Sequence, residues 1–204
     1  IGGTTRMLPA SVAARFAYYG SEDIGVLAPR GWHCVVLSGS NGSTLLVTPE
    51  RFDASALLRP EATLTGPAIQ LSLTNGGTSG RFGVAEVCAL LFPTARSFVQ
   101  GVMAEGLVSK DEFRFRPYRS DVLTRRSDTV VEYVTPANHD GVGTHSRMVR
   151  SDLPISGVAV LLPGEDMDLV KLDVRLPREM RDMSSTIIRM LELDDGRTAR
   201  PNGS

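Results

Sequence analysis

Three histidines and two cysteines carry most of the nucleophilic and acid–base capacity of this 204-residue chain. His139 and His145 stand six residues apart with Asp140 between them, in a segment that also holds Asn138, Gly141, Gly143 and Thr144. A histidine beside a carboxylate can serve as an acid–base pair or as a metal ligand. The spacing differs from H-E-x-x-H, which sets two imidazoles on one helical face, so neither a metal nor another cofactor is expected. The third histidine, His33, adjoins the sole tryptophan and a cysteine in Arg30-Gly31-Trp32-His33-Cys34. In a nucleophilic reading Cys34 attacks, His139 or His145 is the base, and Asp140 or Asn138 orients that base. In a binding reading Arg30, Trp32 and His33 form a recognition surface with Asn138 and Thr144, since Trp and Arg are enriched at binding hot spots. The plainest alternative makes Trp32 a cover for a hairpin end and both cysteines small buried hydrophobes.

Other motifs are less specific. Residues 75–83 form a Gly-rich connection from a strand to a helix, the setting in which backbone amides cradle phosphate. Gly76 and Gly80 are one residue too close for a Walker A loop, Arg81 stands where Lys belongs, and Gly77, Gly80 and Gly83 do not give the dinucleotide fingerprint. Glu165, Asp166 and Asp168 lack the alternation of an EF-hand and read as an acidic hairpin turn. Arg114, Arg116 and Arg119 interleave with Phe113, Phe115 and Tyr118, but Asp111, Glu112 and Asp121 cancel their field.

These residues need a scaffold, and local patterning supplies one. Asn41-Gly42 between β-rich runs 33–38 and 43–48 is a strong hairpin signal, because both residues tolerate positive φ. Residues 68–74 alternate with Ile69, Leu71 and Leu73 on one face, as in a half-buried strand. A helical period over 84–105 is interrupted by Pro93, which kinks or splits it. Residues 129–135, 155–162 and 168–176 read as strands. In the last of these Leu169, Lys171, Asp173 and Arg175 alternate with apolar residues, which predicts a water-facing side and an antiparallel or edge position. Helices are expected over 7–19, with Leu8, Val12, Phe16 and Tyr19 on one stripe, and after Pro177, with Met180, Met183, Ile187, Met190 and Leu191 inward. The expectation is a single α+β domain over 1–204. A mainly antiparallel sheet, built from the early hairpin and late paired strands, packs with three or four helices, and residues 198–204 form a frayed tail.

Composition narrows the function classes. With 22 basic against 23 acidic side chains the net charge is -1, which argues against a nucleic-acid partner. A hydrophobic content of 42% is too high for disorder, and no apolar run is long enough for a transmembrane segment. The chain starts at Ile1, which fits removal of a signal peptide or excision from a larger protein. Cys34 and Cys88 allow one disulfide pairing. Lacking a cofactor fingerprint, metal motif or triad signature, the chain reads as a non-catalytic binding domain. It is secreted or periplasmic, or failing that cytoplasmic, and recognises a partner protein or an envelope component. The alternative is a cysteine-dependent hydrolase or transferase using Cys34 with a histidine of the 139–145 loop.

Overall fold

The computed structural model describes residues 10–53, 55, 59, 62–109, 111 and 113–198. A one-turn helix, α1 (Ala10–Ala13), leads into β1 (Phe16–Gly20), which pairs antiparallel with β2 (Gly25–Pro29) as a separate ribbon. The long first helix expected over 7–19 is therefore cut short. Aromatic Phe16, Tyr18 and Tyr19 find cross-strand partners in Pro29, Leu27 and Val26, and that pairing overrides the helical stripe. Met7, Leu8 and Pro9 lie outside the described residues, as does the tail beyond Thr198.

The hairpin forms where its turn signal sits, as β3 (His33–Gly39) and β4 (Gly42–Thr48), with Gly42 at φ 123° closing the turn. Next come β5 (Ala68–Thr74), helices α2 (Arg81–Leu91) and α3 (Arg96–Ala104), then β6 (Val122–Arg125), β7 (Val130–Thr135), β8 (Ile155–Leu162), β9 (Asp168–Arg175) and α4 (Ser184–Thr198). Pro93 splits the expected 84–105 helix by opening a 3-10 turn between α2 and α3. Seven strands join in the order β3-β4-β5-β9-β8-β7-β6, every pairing antiparallel, so β3 and β6 are the two edges. The result is an α+β fold in which sheet outweighs helix. Among the described residues, three α-helices exceed one turn, and a 3-10 helix over Arg178–Met183 leads into the last of them.

Cross-strand register assigns each side chain to a face. Leu45, Val47, Ile69, Leu71, Val158, Val170, Leu172 and Val174 point to one side and pack with Trp32, the β1–β2 ribbon and Ile187, Ile188 and Leu191 of α4. The other side takes α2 and α3 over Val131, Ala159, Leu161 and Leu169, and Leu64 and Met148 over Leu46, Ala68 and Ile155. β9 lies at the centre, with both of its sides covered. Lys171, Asp173 and Arg175 are thus buried, at 5%, 1% and 0% exposure, and the expected water-facing strand is corrected to a core strand with a polar row.

That row depends on one glycine. At the level of Asp173 the register runs Val35, Leu46, Gln70, Asp173, Gly157, Tyr133, Leu123 across all seven strands. Tyr133 and Asp173 are two strands apart, roughly 9.5 Å at ordinary spacing. Gly157 lies between them without a side chain, so the Tyr133 ring leans across it and its hydroxyl donates to Asp173 Oδ1 at 2.6 Å. A Cβ at position 157 would meet Tyr133 Cζ at 2.4 Å and the Leu172 carbonyl oxygen at 2.5 Å. Gly157→Ala is expected to destabilise the fold by about 2–3 kcal/mol, the usual scale of overpacking with a lost hydrogen bond. A lower urea midpoint at unchanged slope checks this.

Candidate functional site

The segment that holds the loop histidines, residues 136–153, is fastened to the sheet mainly through its backbone. Lys171 Nζ donates to the His145 carbonyl at 3.2 Å and to Asp173 Oδ2 at 2.6 Å. The Arg147 amide donates to Gln70 Oε1 at 3.0 Å, and Arg175 donates to the carbonyls of Val149 and Leu64. At the other end of the loop, Asp121 accepts from Thr135 Oγ1 at 2.7 Å and from the Val142 amide at 2.9 Å. Burial raises the Asp173 carboxyl above its ordinary range, outweighing the attraction of Lys171. Burial, and then the charge of Asp173, push Tyr133 well above its usual value, so it stays a donor. Arg175 is lowered by burial, and its Nε has no hydrogen-bond partner among the described residues. Buried in this way, Lys171, Asp173 and Tyr133 clamp the loop.

His145 is held at both ring nitrogens. Its Nδ1–H donates to Glu86 Oε1 at 2.7 Å, and Nε2 accepts from the Tyr118 hydroxyl at 2.8 Å. His139 is exposed, its Nδ1–H donating to the Ala137 carbonyl at 2.9 Å, and Asp140 pairs with Arg150 at 3.2 Å. Asn138 takes the left-handed conformation at φ 62°, and Thr144 Oγ1 closes the turn on Gly141.

Cys34 does not meet these groups. It pairs across the sheet with Val47, which pairs with Ile69 and then Val174, so its side chain is on the α4 side. Lys171, which grips His145, is on the opposite side. His139 follows β7, five strands from β3, roughly 24 Å at ordinary spacing. Cys34, His139, Asp140 and His145 therefore do not assemble into a nucleophile–base–orienter set. Trp32 is 8% exposed and packs in the core, so its ring is not offered to a partner, while Arg30 donates to the Ala14 carbonyl and His33 is exposed at the start of β3. The binding set of Arg30, Trp32, His33, Asn138 and Thr144 is likewise spread over two regions.

The cysteines are also parted by the sheet and both are free, so the one pairing the sequence allows is not formed, and of the two only Cys88 is the buried hydrophobe that its context suggests. Cys34 is exposed. Cys88 is packed in α2, where burial pushes its thiol up to about 12. In the Gly-rich loop the Gly76 amide is taken by Asp168 Oδ1 at 2.8 Å and the Gly80 amide by Thr78 Oγ1 at 3.1 Å, so these two amides are spent within the protein. Arg81 instead forks onto Glu105, tying the start of α2 to the end of α3. No cluster of three His, Cys, Asp or Glu side chains converges among the described residues. No described helix is long and apolar enough to cross a membrane.

A concavity lies on the α4 side of the sheet. This groove of about 550 Å³ runs between α4 and strands β6–β8. Val122 and Val134 floor it at 63% and 38% exposure, with Ile188 on the helical wall. Arg126, Arg181 and Arg189 rim it, and Ser156, Ser184 and Ser185 add hydroxyls. Arg126 pairs with Glu132 at 2.6 Å, whereas Arg181 and Arg189 form no ion pair among the described residues. No local pattern announces this site, because its arginines come from two distant segments that meet only through the sheet order. Comparison with protein-family models, curated proteins and solved structures found no match.

Two measurements check the site geometry. Native protein should titrate one thiol, Cys34, with Cys88 reacting only on unfolding. Lys171→Met should cost about 3–5 kcal/mol in urea unfolding by leaving Asp173 buried without its partner, and Lys171→Met/Asp173→Leu should regain most of that loss.

Proposed function

We propose that this chain is a non-catalytic binding domain whose recognition surface is the groove between α4 and strands β6–β8. The observation that carries the reading is the pair of exposed valines, Val122 and Val134, under an arginine rim in a cleft of about 550 Å³. That volume falls within the range of roughly 300–1,000 Å³ usual for ligand clefts. Exposed apolar surface rimmed by polar residues is a mark of interaction sites. The separation of Cys34 from the loop histidines, and the occupation of both His145 nitrogens, favour binding over cysteine-dependent hydrolysis or transfer. Recognition of a partner protein or envelope component outside the cytoplasm belongs to the same proposal. The separation of the cysteines removes the disulfide from its support.

The test is site-specific photo-crosslinking in the source cell. A benzophenone amino acid at Val134 should yield one discrete adduct, and the same group at Tyr18, exposed on the β1–β2 ribbon, should not. Equal labelling from both positions, or none from Val134, would overturn the reading.

A further inference from the structure

Resting on that reading, we infer that the groove takes an extended acidic segment of a partner protein, laid beside the free edge of β6. Charge complementarity chooses the partner. Three arginines face the groove against a single glutamate among the described residues, and that glutamate is already committed to Arg126. Arg189 Nε donates to the Ser185 carbonyl at 3.1 Å, which leaves its two terminal nitrogens, with the guanidinium of Arg181, to meet what enters in a geometry that matches carboxylates.

The shape of the groove chooses an extended chain. β6 ends the sheet, so among the described residues the outward backbone amides and carbonyls of Val122–Arg125 have no strand beside them. An added strand would gain main-chain hydrogen bonds there, and every second side chain would turn toward the α4 side, where the valine floor and the arginines lie. An acyl chain is a poorer fit, because the floor is open to solvent along β6 and the walls carry the hydroxyls of Ser156, Ser184 and Ser185. Alternating acidic and apolar residues would meet both features at once, with valine-like side chains on Val122 and Val134 and carboxylates at the rim.

The experiment measures fluorescence anisotropy of the full chain with a labelled twelve-residue peptide alternating Glu and Val, its Lys/Val counterpart, and a fluorescent long-chain fatty acid. The Glu/Val peptide should bind at least about tenfold tighter than the Lys/Val peptide and weaken with added salt. Arg181→Gln/Arg189→Gln, at two exposed positions, should weaken it by about tenfold or more with unchanged thermal melting. Arg81→Gln, on the far side of the sheet, should leave binding intact. Equal affinity for both peptides, no binding of either, indifference to the double substitution, or fatty acid displacing the acidic peptide would each overturn the inference. A crosslinked partner at Val134 without acidic-peptide binding would defeat this inference alone. Absence of both would also remove the binding reading.

Discussion

The contact on which the loop side of the sheet depends is Asp173 held between Tyr133 and Lys171 on the central strand. Each of the three would be costly to bury alone. Together they satisfy one another: the carboxylate accepts from the phenol and the ammonium at 2.6 Å each, and the ammonium has a donor left for the His145 carbonyl. A buried pair of this kind adds little net stability compared with an apolar core, but it penalises arrangements that leave either charge unpartnered. The row thereby fixes which loop carbonyl and amide sit over the sheet, and the position of residues 136–153 follows from it.

The same row explains why the catalytic alternative comes apart. A strand turns alternate side chains to opposite faces, so a single register decides that Cys34 and Lys171 look away from each other. Proximity in a list of reactive residue types carries no information about that choice. His145, which looked available, spends its two nitrogens on Glu86 and Tyr118 and helps to pin α2 to the loop.

Much of the architecture was legible because local chemistry decided it. Asn41-Gly42 set the hairpin, strict alternation marked residues 68–74, and Pro93 placed the break between α2 and α3. Residues 168–176 misled for an instructive reason. Alternation with Lys171, Asp173 and Arg175 normally signals water on one face, but here Lys171 and Asp173 pair with each other, and the remaining partners are Tyr133 and the carbonyls of His145, Leu64 and Val149, all far away in sequence. The segment 7–19 misled because Phe16 to Gly20 pairs with β2, a tertiary contact that outweighs helical spacing. The groove was not legible at all. Val122 and Val134 read as ordinary strand residues, and their exposure beside α4 appears only once the strands are ordered in the sheet.

The two ends of the sheet are unlike, and this bears on self-assembly. β3 offers seven residues, His33–Gly39, without a carboxylate, lysine, arginine or proline, a profile that invites other strands. β6 is four residues long, ends at Arg125, and is followed by Arg126. Stacking copies edge to edge would set a long neutral strand against a short cationic one, and such a heterologous contact must repeat without closure to grow a filament. The mismatch in length and charge works against that head-to-tail propagation.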